Sequence, residues 1–334
     1  MIDEHFVQAV DAGRFLAVFP IVASSTFRQV KMRLTGWTRI ASGLLPLLLW
    51  LASVASPQSQ PSAQEQRRDL SDLVNRPVVY SVTGPVKVTA DIVYKKDPTA
   101  DFLKMDIYAP DEAHGPVPVV VLIHGGVPAG LRLHPKDWGI YKSWGRLVAA
   151  SGMAAVMFNH RGGFPDPNLG QASQDVNDLI TFVRLHAQEW NVDGNRICLA
   201  AYSAGGPLLS MAMRDAPPYI RCLVGFYPFL DLRESALHKK YMAEQQLHDF
   251  SPIVFLSRGP DKLPPIFIAR AGRDQIPDLE PGVDRFVNEA LHQNIALEFM
   301  NHPTGVHGFD NQNDDDRSRE IIKAALEFMK NHLR

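Results

Sequence analysis

Cysteine is scarce in this sequence, and its scarcity excludes two kinds of small structural site. The two cysteines, Cys198 and Cys222, are too few for a disulfide framework or a cysteine-based zinc site. Both lie within apolar segments, which favours buried, inert thiols over a bridge between them. We therefore expect the fold to depend on an apolar core, for which a chain with 46% hydrophobic residues has ample material.

The chain also lacks a strong excess of charge of either sign. Its formal net charge is −2, and 21% of its residues are charged. No basic stripe with interleaved aromatic residues occurs, which argues against a nucleic-acid-binding surface. We expect a folded globular protein that does not bind nucleic acid.

Long apolar runs are missing as well. The apolar segment Ile40–Ala55 is interrupted by a glycine and a proline, and it falls short of the ~20 residues of a spanning helix. Three basic residues between positions 31 and 39 precede it, and the small-residue sequence Ser53–Ala55 closes it. This pattern is typical of a secretory signal, with an uncleaved N-terminal anchor as the alternative.

The same segment sets the predicted domain boundaries. Met32 stands where such a signal would begin, so we interpret residues 1–31 as an over-long N-terminal extension and residues 32–55 as the signal or anchor. Residues 56–74 are rich in Gln, Ser and Pro and read as a linker, and residues 75–334 form the folded domain. Export to the periplasm or the extracellular space is the expectation, with membrane attachment only if the segment stays uncleaved.

Short β-rich segments alternate with helical ones along residues 75–334. Strands are predicted over Val86–Tyr94, Phe102–Tyr108, Val117–Ile123, Met153–Phe158, Arg196–Ala201, Ile220–Phe226, Pro265–Ala271 and Ile295–Met300. Helices are predicted over Lys136–Ala150, Ser173–Glu189, Pro207–Arg214 and Asp316–His332. The alternation predicts an α/β fold with a mostly parallel twisted sheet of about eight strands and helices on both faces. The segment Asp231–Leu263 interrupts the rhythm and is either a small cap or a surface excursion.

A serine lies where the predicted strand Arg196–Ala201 gives way to a helix. Ser203 has Ala201 two residues before it and Gly205 two residues after it. A nucleophile held in a strained strand-to-helix turn requires small flanking residues of this kind. A plain Gly-Ser turn is the alternative. If Ser203 is a nucleophile, the N–H of Ala204 is one donor for a developing oxyanion.

Two glycines directly follow the apolar strand Val117–Ile123. Gly125 and Gly126 come after His124, and their backbone N–H groups face an open site if the chain turns there. Gly126 is the preferred second oxyanion donor, with Gly125 or Val127 as alternatives. His124 itself is interpreted as structural. A tight turn without function is the competing interpretation for the glycines.

A carboxylate and a histidine follow two later strands. Asp274 comes after the strand Pro265–Ala271, where a carboxylate can orient a histidine, although turn or capping roles are commoner for Asp. Asp278 and Asp231 are weaker candidates. His307 lies between two glycines after the strand Ile295–Met300, and His302 is its alternative. A lone histidine would favour a structural role, but the chain order Ser, Asp, His matches that of hydrolases.

Together these segments resemble the α/β-hydrolase superfamily over roughly Val86–Arg334, nearest to secreted serine esterases and dienelactone-hydrolase-like members. The resemblance implies that Ser203 is the nucleophile, His307 the base and Asp274 the orienting acid. It also implies a structural role for Arg161, after the fourth predicted strand. Two departures are visible: an alanine replaces glycine two residues before the serine, and the His-Gly-Gly sequence lacks a third glycine.

The resemblance implies hydrolysis of a small-molecule carboxylic ester through an acyl-enzyme on Ser203, with no metal or organic cofactor. Two alternatives stay open: a serine peptidase acting on short peptides, and a catalytically silent binding protein on the same scaffold. The sequence sets neither the substrate nor the oligomeric state. Five aromatic residues are candidates for an apolar substrate pocket, although such residues more often fill the core: Trp138, Tyr141, Phe164, Tyr227 and Phe229.

Overall fold

The computed structural model describes residues 71–72, 74–127, 134–162 and 168–334. The predicted extension, the signal or anchor and most of the predicted linker lie outside these residues, as does Phe164. Within the described ranges, no helix has both the length and the apolar character needed to cross a membrane.

Eight strands of the described chain form one sheet. They are β1 (Val86–Val93), β2 (Lys104–Pro110), β3 (Val117–Ile123), β4 (Ala154–Phe158), β5 (Val192–Tyr202), β6 (Ile220–Phe226), β7 (Ile266–Ala271) and β8 (Leu297–His302). Their spatial order is β1-β2-β4-β3-β5-β6-β7-β8. β2 runs antiparallel to both β1 and β4, and the other neighbouring pairs are parallel. The predicted mostly parallel sheet is confirmed.

Helices lie between the parallel strands and after the last one. They are α1 (Gly139–Ala150), α2 (Leu169–Leu185), α3 (Leu209–Asp215), α4 (Glu244–Asp249), α5 (Leu279–His292), α6 (Phe309–Gln312) and α7 (Asp316–His332). The sequence pattern predicted α7 with the bounds that the structure has. It missed α5, because Pro281 and Gly282 suggest a turn there. A proline is tolerated in the first turn of a helix, where its missing N–H has no intrahelical partner.

The apolar strands form the core of the sheet. Val119, Val120, Val121, Leu122 and Ile123 of β3 are all fully buried, as expected of a strand covered by helices on both faces. The two thiols lie beside each other in this core, since Cys198 of β5 pairs in register with Cys222 of β6. Both cysteines are free and buried, as the sequence favoured.

The segment Asp231–Leu263 contains α4 and several 3-10 turns. Its longest 3-10 helix, Pro252–Arg258, packs against α3 and α5. The segment therefore extends the helical layer on one side of the sheet. Of the two interpretations of the sequence, these contacts favour a surface excursion over a cap.

Candidate active site

Four loops meet at the carboxyl ends of β3, β5, β7 and β8. Because these strands are parallel, their carboxyl ends lie along the same edge of the sheet. Ser203 follows β5 directly, Asp274 follows β7 after two residues, and His307 lies between β8 and α6. Residues far apart along the chain thus come within reach of one another.

The backbone at Ser203 is strained. Its φ is 52°, in the left-handed region that residues other than glycine seldom adopt. A 3-10 helix begins at this residue and continues into α3, so the predicted helix starts earlier than Pro207. A Cβ on Gly205 would lie 2.7 Å from the carbonyl oxygen of His124, which explains why only glycine fits there. Ala201, by contrast, is tolerated as a fully buried strand residue whose register partner on β6 is Gly225.

His307 lies between the serine and the aspartate. Its Nε2 is 2.9 Å from Ser203 Oγ, and its Nδ1 is 2.8 Å from Asp274 Oδ2. An ionised carboxylate only accepts hydrogen bonds, so Nδ1 carries the proton and Nε2 is free to accept the serine proton. The three side chains form one hydrogen-bonded relay.

The carboxylate of Asp274 is held from two sides. Its side chain is fully buried, and its Oδ1 accepts a 2.9 Å hydrogen bond from the backbone N–H of Ile276. The other oxygen, Oδ2, faces His307. Because the local turn occupies one oxygen, the orientation of the other toward the imidazole is fixed.

Glycines and an amide position the loop that carries His307. A Cβ on Gly305 would lie 2.6 Å from the ring of His302, so a larger residue would collide with it. Gly308 adopts a φ of 76° before α6 begins. The side-chain amide of Gln312 donates a 2.5 Å hydrogen bond to the carbonyl oxygen of His307. Each contact restricts the path of the loop around the imidazole.

Two segments that carry candidate oxyanion donors border Ser203. Ala204 is the second residue of a 3-10 helix, where N–H groups lack intrahelical partners. Gly125 lies against the serine, since a Cβ on it would be 3.0 Å from Ser203 Cβ. The N–H of Gly125, however, donates a 2.9 Å hydrogen bond to Tyr141 Oη. Among the sequence candidates, Gly125 therefore fits the oxyanion role poorly, and Gly126 and Ala204 stay the candidate donors.

Two histidine rings stack behind this segment. His124 and His160 have ring centroids 3.6 Å apart and an interplanar angle of 7°. The backbone N–H of His160 donates to Nε2 of His124 at 3.3 Å, and Nδ1 of His124 lies 2.7 Å from the carbonyl oxygen of Gly125. Burial, and then the neighbouring His160, lower the pKa of His124 well below its usual range. A neutral His124 thus supports the glycine segment, in keeping with its structural interpretation.

The competing candidates for the histidine and the acid lie elsewhere. His302 Nε2 contacts Asp315 and Ser318, each at 3.0 Å. Asp231 forms ion pairs with two arginines, Arg233 and Arg285. Asp278 accepts a hydrogen bond from the backbone N–H of Ala236. Their partners lie outside the Ser203 relay.

Two cationic side chains, those of Arg161 and Lys136, form ion pairs with buried carboxylates. Arg161 pairs with the buried Asp175 and with Asp97, which matches its structural interpretation. Lys136, which the sequence analysis did not single out, is almost fully buried before α1. Its Nζ lies 2.8 Å from Asp91 and 3.0 Å from Asp106. No local pattern around Lys136 marks it as a buried ion-pair partner.

The candidate pocket aromatics have different surroundings. The rings of Trp138 and Tyr141 stack at 6.1 Å near Gly125. Tyr227 contacts the imidazole of His307, with ring centroids 4.6 Å apart. Phe229 is buried against His238. Among the described residues, no group of three or more His, Cys, Asp or Glu side chains is arranged to hold a metal ion.

Parts of this sequence are similar to a family model and to curated esterases. The BD-FAE family model matches residues 105–216, which include the glycine segment and Ser203. A probable isoprenylcysteine α-carbonyl methylesterase of Oryza sativa subsp. japonica is 28% identical over 66% of the chain. An isoprenylcysteine α-carbonyl methylesterase of Arabidopsis thaliana is 30% identical over 41% of the chain. The chain spans 56% of the length of the first relative and 30% of the second.

Solved structures share the fold over most of the chain. Esterase B from Lactobacillus rhamnosis superposes with a TM-score of 0.63 at 16% identity, covering 80% of this chain and 93% of the esterase. An arylesterase gives a TM-score of 0.60 at 20% identity, covering 81% of this chain and 93% of that protein. The chain has the α/β-hydrolase fold. In this fold, the serine-bearing turn after β5 and the histidine loop after β8 lie at the same edge of the sheet.

Proposed function

We propose that this protein cleaves carboxylic esters of small molecules, with Ser203 as nucleophile, His307 as general base and Asp274 as orienting acid. The observation that carries the proposal is the continuous relay from Ser203 Oγ through the imidazole to Asp274, with contacts of 2.9 Å and 2.8 Å. The esterase names of the curated relatives support the ester class. No metal or organic cofactor takes part in the proposed reaction.

In the proposed first half-reaction, the Ser203 oxygen attacks the ester carbonyl carbon. His307 Nε2 takes the hydroxyl proton as the new C–O bond forms. The tetrahedral intermediate collapses when its bond to the alcohol oxygen breaks, and the imidazolium returns its proton to that leaving group. Asp274 stays ionised and stabilises the imidazolium through Nδ1. The products are the free alcohol and an acyl-enzyme.

Water repeats these steps in the second half-reaction. His307 removes a proton from the water, whose oxygen attacks the acyl carbon, and Ser203 then leaves with the proton held by the imidazolium. The backbone N–H groups of Gly126 and Ala204 are the proposed donors to the oxyanion in both halves. Loss of one such donor typically costs about 3 kcal/mol of transition-state stabilisation. The products are the free acid and the unmodified enzyme.

Hydrolysis of a series of p-nitrophenyl esters by the purified full chain tests the proposal. We expect measurable turnover, and a fall in kcat of about 10⁶-fold in Ser203→Ala, because the nucleophile is lost. Ser210→Ala is the matched control. The buried Oγ of Ser210 has no hydrogen-bond partner among the described residues, so its removal should leave turnover within about twofold of the parent.

The matching p-nitroanilides separate an esterase from a peptidase. Ester cleavage without anilide cleavage supports the proposal, whereas preferential anilide cleavage favours a peptidase. A chain that cleaves neither series and forms no acyl-enzyme would be a catalytically silent member of the superfamily.

A further inference from the structure

A second buried carboxylate lies three residues after His307. Asp310 is the second residue of α6 and is fully buried. Its Oδ1 accepts a 2.7 Å hydrogen bond from Tyr227 Oη, and its Oδ2 accepts a 2.7 Å hydrogen bond from Trp144 Nε1. These donors come from two other parts of the fold, the end of β6 and helix α1. The carboxylate therefore connects three elements beneath the relay.

One of these donors also touches the relay. The ring of Tyr227 meets the imidazole of His307 edge to face, with centroids 4.6 Å apart and an interplanar angle of 60°. Tyr227 follows β6, at the same sheet edge as Ser203. Its ring thus forms a wall on one side of the imidazole, while its hydroxyl is held from behind by Asp310.

The backbone at Tyr227 is strained. Its φ is 38°, an unusual value for a bulky side chain. A conformation of this kind persists only where surrounding contacts fix it. Two contacts do so here: the Tyr227 N–H donates to the carbonyl oxygen of Ala269 at 2.7 Å, and its hydroxyl donates to Asp310.

The direction of the hydrogen bonds follows from the donors. Indole N–H groups only donate, and burial holds the pKa of the Tyr227 hydroxyl well above its usual range, so that the hydroxyl keeps its proton. Asp310 accepts from both. Burial raises the pKa of Asp310. The hydrogen bonds from Trp144 and Tyr227 lower this pKa, but burial is the larger effect.

We propose that Asp310 is a positioning residue for the candidate base: by fixing the Tyr227 hydroxyl, it keeps the tyrosine ring against His307 and the imidazole in line between Ser203 and Asp274. The proposal deepens the proposed function and rests on it for its kinetic consequences. The positioning itself is a property of the folded chain, and so it has a readout that needs no substrate.

Two substitutions separate positioning from simple stabilisation. Tyr227→Phe removes the hydrogen bond to Asp310 from the residue that contacts His307. Trp144→Phe removes the other hydrogen bond to Asp310, which has the same length of 2.7 Å. Both changes leave one carboxylate oxygen without its donor, so both should lower the thermal midpoint. Only Tyr227→Phe frees the ring beside the imidazole.

The first test is the downfield proton resonance of His307 Nδ1–H in the purified full chain, assigned by its loss in His307→Gln. We expect a sharp resonance in the parent and in Trp144→Phe. In Tyr227→Phe and Asp310→Ala we expect the resonance to broaden or vanish, because a loosened imidazole exchanges this proton with water. A sharp, unshifted resonance in Tyr227→Phe would overturn the inference.

The second test is kinetic. Tyr227→Phe and Asp310→Ala should lower kcat by about tenfold to a hundredfold with little change in KM, as expected for a misaligned base. Asp310→Asn should recover most of kcat, since its amide can still bond the tyrosine hydroxyl. If Tyr227→Phe lowers kcat no more than Trp144→Phe does, the inference fails while the proposed function stands. If the parent cleaves no ester but the resonance behaves as expected, the proposed function fails and the positioning stands.

Discussion

At the scale of single residues, two strained backbone positions shape the site. Ser203 and Tyr227 both have positive φ and both follow neighbouring parallel strands, β5 and β6. A hydrogen bond joins the two turns, since the N–H of Phe229 donates to the carbonyl oxygen of Ser203 at 3.1 Å. Strain of this kind costs of order 1–3 kcal/mol per residue and is typical of functional sites. We infer that the packing around these two turns stabilises both conformations together.

The proposed role of Asp274 as the orienting acid gives the first residue-scale prediction. Asp274→Asn should lower kcat by about 10⁴-fold without unfolding the protein, because an amide can donate to Nδ1 and favour the wrong imidazole tautomer. Ester hydrolysis at several substrate concentrations measures this. Asp278→Asn is the control, since Asp278 bonds the N–H of Ala236 and should retain nearly full turnover. Equal activity of the two variants would exclude Asp274 as the orienting acid.

The close approach of Gly125 to Ser203 gives the second residue-scale prediction. In Gly125→Ala the added Cβ would lie 3.0 Å from Ser203 Cβ and 3.1 Å from the carbonyl oxygen of Tyr202, so either the serine or the glycine segment must shift. We expect kcat/KM to fall by about tenfold or more, because small displacements of reacting groups are costly. Gly115→Ala should match the parent, because apart from its chain neighbours no described residue has an atom within 4 Å of the new Cβ. Undiminished kcat/KM in Gly125→Ala would show that the segment tolerates the shift.

What the sequence could predict at this scale depended on local patterns. Ser203 and His307 are flanked by small residues in a recognisable order, and Asp274 follows a glycine after a strand. Tyr227 and Asp310 have no such signature, because their roles depend on contacts between distant elements. The partner of the Gly125 N–H, a tyrosine hydroxyl 16 residues away, was equally invisible.

At the scale of elements, buried charges fix the segment that leads into α1. The Nζ of Lys136 contacts three carboxylates, those of Asp91, Asp106 and Asp137. Burial lowers the pKa of Lys136, but the hydrogen bonds that its ammonium group donates to these carboxylates outweigh burial and raise the pKa overall. The β1–β2 pair shifts register between Thr89 and Ile92, where Asp91 lies, so the lysine joins an irregular strand to the start of a helix.

This cluster gives an element-scale prediction. Lys136→Met should lower the free energy of unfolding by about 3–5 kcal/mol, because it leaves the buried Asp106 without its cation. Lys142→Met, which removes an exposed lysine 3.9 Å from Asp137, should change it by less than about 1 kcal/mol. Urea unfolding followed by circular dichroism measures both. Equal stability of the two variants would mean that the buried cluster contributes little.

Most elements followed from apolar patterning, and the exceptions have physical causes. Runs such as β3 and β4 are buried on both faces, so their sequences are continuously apolar. The helix α5 was missed because Pro281 and Gly282 occur in its first turn. The segment Asp231–Leu263 folds into short turns whose placement depends on packing against α3 and α5, which no local pattern records.

At the scale of the whole molecule, stability should depend on pH through buried carboxylates. Burial tends to raise the pKa of Asp175, but hydrogen bonds from Arg161 and Lys95 lower it overall. A carboxylate whose pKa is lowered in the folded state stabilises the fold at every pH above the pKa that the group has in the unfolded chain. That contribution is lost as the pH falls from the unfolded-state pKa through the folded-state pKa, so the loss begins below about pH 4.

Asp175→Asn tests this dependence. We expect a lower free energy of unfolding at pH 7, because two partner cations lose a buried carboxylate, and a weaker decline toward pH 3 than in the parent. Urea unfolding over a pH series measures both. The control is Asp178→Asn, which removes an exposed partner of the same Lys95 and should keep the parental decline. A parental decline in Asp175→Asn would assign the acid sensitivity to other groups.

Reaction of the purified full chain with a fluorophosphonate, followed by peptide mapping, tests the central claim most directly. We predict a single modified residue, Ser203, and loss of labelling in His307→Ala, because the hydroxyl lies 2.9 Å from the imidazole that we propose activates it. Modification of a different residue, or undiminished ester hydrolysis by Ser203→Ala, would contradict the account.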